Sequence, residues 1–241
     1  MSSPRKRGPG RPRTRPVQEQ RSRVLTAARA VFAERGRSGA TIEQIAREAG
    51  VRRQTVYELF EDRGTLFDQV VADAEELAYA TIAERGAADA ELDLHTWARR
   101  NYAAMFTLAS DHPDVLAVLQ QAERAGTGAL TRLRGRLAEV YTEASRRRWA
   151  EHGVEPGRAN TALVAMWFAM AETLVAMRWP AAAGSTADPA GETDGRATAE
   201  TSAGDADAPD PEALIDLLTE FTVGGVLRLQ RHTPDVIDRL R

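Results

Sequence analysis

Apolar side chains recur at intervals of three and four through most of the chain and nowhere alternate in twos, so the sequence predicts helices and no strands. The first stripe, Val24, Leu25, Ala28, Val31 and Phe32, begins after Val17 and closes near Gly36. A second and shorter one holds Ile42, Ile45, Ala46 and Ala49. Thr41 and Gln44 ahead of it have the spacing of a capping box, and Gly50 stands where a helix would stop. After Val51 a third segment runs from Arg52 to Phe60, and Asp62 is placed to cap a fourth that carries Leu66, Phe67, Val70, Val71, Ala74 and Leu77. Further helices are expected over 92–109, 113 to about 126, 129 to about 152, and 160–179. A last one starts at Pro211, a good first-turn residue, and carries Leu214, Leu217, Leu218, Phe221 and Leu227.

Two segments break this pattern. Residues 1–17 hold four prolines, six Lys/Arg between Arg5 and Arg15 and no periodic apolar residue, the composition of a disordered basic arm. Residues 181–210 are rich in Ala, Gly, Ser, Thr and Asp and read as a flexible acidic linker. The chain of 241 residues has no cysteine, which excludes disulfides, thiolate nucleophiles and Cys-ligated metals. The longest uninterrupted apolar run, Ala162 to Ala171, is about half of what spans a bilayer, so no transmembrane helix and no membrane partner are expected. No apolar stretch follows the basic N-terminus in the order of a secretory signal, and a cytoplasmic location is expected.

Charge changes the picture more than composition does. The formal net charge of −3 hides a basic head, residues 1–60 with 14 Lys/Arg against 5 Asp/Glu, and an acidic remainder. A polyanion at the head is the natural partner. Within that head, Ala46, Gly50 and Val56 meet the needs of a helix-turn-helix: a small residue at the helix crossing, a glycine free to take positive φ, and an apolar residue that seats the second helix. Arg52, Arg53 and Gln54 open that second helix. Arginine can form bidentate contacts with guanine, and glutamine with adenine, in the major groove.

At these residues the sequence resembles the TetR-type DNA-binding domain. The strings TIEQIAREAGVRRQTVYELFEDRGTLF and VLTAARAVFAERG carry the resemblance, which covers residues 18–78 with the helix-turn-helix at 41–60. It implies an all-α protein: an N-terminal three-helix helix-turn-helix domain, then a larger helical effector-binding and dimerisation domain over 79–241. It further implies that Arg52, Arg53 and Gln54 read bases of a double-stranded DNA operator while Thr41, Thr55, Tyr57 and Arg63 contact phosphates. Arg63 stands where the family commonly has lysine, and Glu58 places an anion on the same helix. A homodimer formed through the last two long helices and a small-molecule effector also follow from the resemblance.

The arm adds Arg7, Gly10, Arg11, Pro12 and Arg13, which have the core of an AT-hook that lies in the minor groove, or serve as a generic phosphate-attracting arm. Trp97, Met105, Phe106, Met166, Trp167 and Met170 are candidates to line an effector pocket, although residues at helical spacing also make plain core. Glu172 interrupts the apolar helix 160–179, where it could meet an effector or an arginine. His95, His112, His152 and His232 form no metal-ligand spacing, and no catalytic triad, phosphate loop or dinucleotide motif occurs; neither metal, cofactor nor catalysis is expected. The leading expectation is a ligand-released repressor. A ligand-independent architectural DNA-binding protein is the alternative, and a small helical enzyme a remote one.

Overall fold

The computed structural model describes residues 16–87, 91–153, 159–179, 209–233, 235–236 and 239. The arm at 1–15 and nearly all of the expected linker therefore lie outside the described residues. Among those described every regular element is helical: α1 (Val17–Gly39), α2 (Ile42–Ala49), α3 (Arg53–Leu59), α4 (Arg63–Ala87), α5 (Leu94–Asp111), α6 (Pro113–Arg124), α7 (Ala129–Glu151), α8 (Ala159–Arg178), α9 (Pro211–Thr219), a π-helical turn (Glu220–Gly224) and α10 (Gly225–His232).

Local signals set most of these boundaries. The Thr41 hydroxyl accepts from the Gln44 backbone N–H at 3.2 Å, and the Gln44 side chain accepts from the Thr41 N–H at 2.9 Å, completing the capping box of α2. Gly50 ends α2 at φ 63°, ψ 37°, and the Val51 N–H reaches back to the Ala46 carbonyl at 2.9 Å. Asp62 accepts from the Thr65 N–H at 2.7 Å and starts α4. Two boundaries differ from expectation. Helix α1 bends at Gly36 (φ 72°) and continues to Gly39 instead of closing there. Helix α5 begins at Leu94 and not at Leu92, because Asp93 takes the capping position and accepts from the N–H groups of His95 and Thr96.

Helices α1 to α4 enclose Val24, Ala28, Phe32, Ile45, Val56, Leu66 and Phe67, all fully buried. Burying each large side chain contributes roughly 1.5–3 kcal/mol. Phe32 and Phe67 meet edge to face with centroids 5.0 Å apart, which locks α1 onto α4. The same core continues into α5 to α8, while Tyr102, Phe106, Ala171, Val175, Leu214 and Leu218 belong to a second cluster. Helix α6 docks on α1, where Gln121 donates to the Phe32 carbonyl at 2.9 Å and Arg29 donates to Asp114 at 2.6 Å. Helix α4 is also tied to α7, by Glu75 with Arg132 and by Glu76 with Arg136 at 2.7 Å.

Helix α8 buries one narrow stripe, Asn160, Val164, Phe168, Ala171 and Val175, against α5 and α7. The rest of this apolar helix is not covered by the described residues of a single chain. Met166 and Met177 on α8, with Leu217 and Phe221 nearby in sequence to one another on the C-terminal helix, are between 55% and 65% exposed. Asn160–Arg178 is also long and apolar enough to cross a membrane by length and composition, with mean hydropathy 1.3 and 22% of it buried. Glu172 and Thr173 interrupt the apolar run without lowering that average far. The last helix is not regular either. The Thr219 and Thr222 hydroxyls donate to the carbonyls of Ile215 and Leu218 (2.8 and 2.7 Å), around the wide turn that Gly224 closes.

Gly50 offers a direct check of the turn. A Cβ there would lie 3.0 Å from the movable tip of Arg23, so the cost comes chiefly from the left-handed backbone. Gly50→Ala should lower stability by about 1–2 kcal/mol in urea denaturation. An unchanged midpoint would mean that the turn relaxes.

Candidate nucleic-acid interface and inner cavity

Helix α3 has two faces with different chemistry. Val56 and Phe60 are buried and seat it, Thr55 is half-buried, and Arg52, Arg53, Gln54, Tyr57 and Glu58 are exposed on the outer side. Four of these exposed side chains are already paired. The Arg53 guanidinium lies 5.6 Å from the centre of the Tyr57 ring and donates weakly to its hydroxyl at 3.4 Å. Gln54 donates to Glu58 at 3.0 Å. Both pairs are i,i+4 contacts that a base edge or phosphate would have to share or displace. Glu58 thus holds the Gln54 amide in the protein alone.

The phosphate candidates are placed unequally. Thr41 is exposed at the start of α2, its hydroxyl engaged with Gln44. Arg63 is tied back, donating to the carbonyls of Ser38 (3.2 Å) and Ala40 (2.9 Å), where it braces the α1–α2 connection against α4. Sequence reasoning missed three other arginines with structural work. Arg23 donates to the Ala49 carbonyl at 2.7 Å beneath the turn, Arg21 stacks 4.6 Å over Phe60 and bonds Gln69, and Arg37 lies 5.0 Å over Phe67. Part of the basic excess of the head therefore stabilises the domain itself. The arm residues Arg7, Gly10, Arg11, Pro12 and Arg13 lie outside the described residues.

A second site lies among α5, α7, α8 and the π turn. Trp97, Met105 and Trp167 line an inner cavity together with Asn101, Tyr102, Tyr141, Trp149 and Phe168, which leave only about 30 Å³ unfilled. Its rings interlock: Trp97 with Tyr141 at 5.8 Å, Tyr141 edge-on to Phe168 at 5.4 Å, and Trp149 with Trp167 at 6.0 Å. Tyr141 donates to the Ile82 carbonyl at 3.1 Å and to Asn101 Oδ1 at 3.0 Å, and Tyr102 to Thr222 at 3.2 Å. Burial pushes both phenols well above their ordinary pKa, so they stay neutral. The buried Arg148 guanidinium lies 4.5 Å over the Trp97 ring and donates to the carbonyls of Leu92 and Ala144.

The other four pocket candidates are elsewhere. Phe106 is buried against Trp179, edge to face at 5.8 Å. Met166 points outward from α8, and Met170 lines a shallow groove with Leu217 and Phe221. Glu172 binds Arg134 at 2.8 Å in a separate, more open cleft of about 410 Å³ walled by leucines of α5, α6 and α7. Met105 and Phe168 belong to both cavities and form the partition between them. The signal that could have found Asn101 was position: with Trp97 and Met105 it forms an i,i+4 row, from which Phe106 is turned by about 100°.

Residues 24–70 match the family described as bacterial regulatory proteins, tetR family. The fold is similar to that of a TetR-like transcriptional regulator from Rhodococcus sp. RHA1, with TM-score 0.61 at 16% identity over 86% of this chain and 95% of that one. A tetR-family regulator from Streptomyces coelicolor gives 0.64 at 16% identity over 93% and 89%. The regulator FadR from Bacillus subtilis, in complex with stearoyl-CoA, gives 0.62 at 16% over 85% and 98%. No curated protein matches by sequence. At these identities the likeness is one of fold, and it extends well beyond the matched 47-residue stretch into the C-terminal helices.

The position of Arg63 separates two roles. If its bonds to Ser38 and Ala40 hold the domain, Arg63→Ala should lower the Tm of the free protein by several degrees, measured by circular dichroism without DNA. An unchanged Tm would leave it only a surface cation.

Proposed function

Starting from a chain that carries the helix-turn-helix domain of the tetR family of bacterial regulatory proteins, and so is a DNA-binding transcriptional regulator, we propose a homodimeric repressor. It leaves an inverted-repeat operator when a small, mostly apolar effector fills the inner cavity. The observation that carries this reading is the two-faced α3, seated by Val56 and Phe60 and offering Arg52, Arg53, Gln54 and Tyr57 to the solvent. The exposed apolar residues Met166, Met177, Leu217 and Phe221 support a twofold dimer through α8 and the C-terminal helix, since a second copy would remove them from water. Two copies of one chain read the same half-site twice, hence the inverted repeat.

Release needs a path from the cavity to α3. Tyr141 in the cavity wall bonds Ile82 on α4, and α4 runs back to the Arg63 brace. Helix α6 is bonded to α1 through Gln121 and Arg29. An effector that prefers one arrangement of α4 and α6 thus favours one spacing of the two recognition helices, and release follows from that differential affinity. A stearoyl-CoA ligand in the Bacillus subtilis FadR supports an apolar effector for this fold. The arm, with Arg7, Gly10, Arg11, Pro12 and Arg13, adds contacts to flanking DNA in this reading. The nearly filled cavity favours a second reading, a DNA-binding protein without effector.

Selection of bound fragments from genomic DNA supplies the operator. Arg53→Ala should then weaken operator binding roughly ten- to a hundredfold and relax preference at one base pair per half-site. A uniform loss on all sequences would contradict base reading.

Screening compounds for release from that operator separates the two readings. An effector should release DNA and raise the Tm of the free dimer. Trp167→Ala should blunt both effects while operator affinity without ligand stays nearly intact. Loss of DNA binding and ligand binding together would mark Trp167 as core.

A further inference from the structure

The apolar lining of the inner cavity hides an imbalance of polar groups. Asn101 Nδ2 and Trp149 Nε1 are buried without a hydrogen-bond partner, on residues that are 8% and 0% exposed and that both line the cavity. Both groups are donors, and a buried donor left unmet is costly. The three hydroxyl groups of the wall are engaged. Tyr141 spends its proton on Asn101 Oδ1 and the Ile82 carbonyl, Tyr102 donates to Thr222, and Thr222 donates to the Leu218 carbonyl. Among the described residues no carboxylate lines the cavity, and the buried Arg148 guanidinium lies directly against Trp97. Glu172, the carboxylate expected to orient a cationic group, is paired with Arg134 in the other cleft. Whatever enters must therefore accept hydrogen bonds and bring no positive charge.

We propose that the inner cavity selects an apolar molecule bearing a hydrogen-bond acceptor oxygen, such as a ketone, ester or carboxylate, which Asn101 and Trp149 bind from two sides. This rests on the reading of the cavity as the effector site and names the chemical class of the effector. The donors fix the oxygen, and the surrounding rings of Trp97, Tyr141 and Phe168 take the apolar body. The unfilled room matches a single water, so a larger guest displaces Trp167, the partly buried member of the Trp149–Trp167 pair. A cation is disfavoured by the Arg148 guanidinium against Trp97 and, among the described residues, by a lining without a carboxylate.

The test uses the full chain and four probes of similar size: acetophenone, ethylbenzene, the matching secondary alcohol, and phenethylammonium. Proton–nitrogen correlation spectra resolve the indole N–H groups of the 4 tryptophans, and Trp149→Phe identifies the signal of Trp149. Acetophenone should shift that signal and bind about tenfold more tightly than ethylbenzene. Phenethylammonium should not bind. Trp149→Phe and, independently, Asn101→Leu should remove the preference for the ketone while ethylbenzene still binds. Equal affinity for ketone and hydrocarbon would overturn the proposal. A preference for the alcohol would overturn it too, by turning the Asn101 amide round to accept. No response of the Trp149 signal to any probe at millimolar concentration would mean that water meets both donors inside a closed core, and also refutes it. DNA release is measured separately. Acetophenone that shifts Trp149 without releasing operator supports the acceptor site and refutes the effector reading.

Discussion

Everything else in the structure leans on α4, one continuous helix between two regions of different chemistry. Its 25 residues span about 37 Å at the rise of an α-helix. At one end Leu66 and Phe67 complete the core under α1 and α3, and Arg63 braces the link that aims α2. At the other, the Ile82 carbonyl takes the proton of Tyr141 from the wall of the inner cavity. Between them Glu75 and Glu76 hold Arg132 and Arg136 of α7. One continuous helix thus touches both the wall of the inner cavity and the brace of the helix-turn-helix.

The charge of the head has two uses that composition merges. Arginine is suited to both, since its planar, weakly hydrated guanidinium can stack on a ring or fork onto carbonyls while staying charged. Arg21, Arg23, Arg37 and Arg63 are spent on Phe60, Ala49, Phe67 and the Ser38–Ala40 link, whereas Arg52 and Arg53 stay on the outer face of α3. Among the described residues, the exposed cationic face of α3 is consequently smaller than the excess of basic residues implies. It is also pre-paired, through Arg53 with Tyr57 and Gln54 with Glu58, which limits the side-chain freedom lost on binding.

The C-terminal part solves a different problem, that of packing three tryptophans and three other aromatic rings into one region. Rings as large as Trp97, Trp149 and Trp167 fill space well but bring N–H groups with them. Trp149 is fully buried with its N–H unpartnered, beside an Asn101 amide in the same condition. A core selected for stability alone would replace these donors by apolar atoms at little cost. Ser145 and Asn160, by contrast, close a buried bond between α7 and α8 at 3.0 Å.

What the sequence determined by itself was whatever nearest neighbours along the chain enforce. The helices follow from the period of apolar residues, the start of α2 from Thr41 and Gln44, and its end from a glycine that alone takes φ 63° without strain. The helix-turn-helix is a short-range object, and both ends of its first helix were legible in the sequence. The π turn at 220–224 was not, because threonine hydroxyls and a glycine pair tolerate several helical pitches and packing against Tyr102 selects one. Nor were the roles of individual side chains. Trp97 and Phe106 look alike on a helical stripe, yet one faces the cavity and the other Trp179, and Glu172 meets Arg134 across 38 positions of sequence. Periodicity fixes which face of a helix is buried. Only the packed neighbours decide what that face meets, since a rotation of 100° between adjacent residues sends them to different helices.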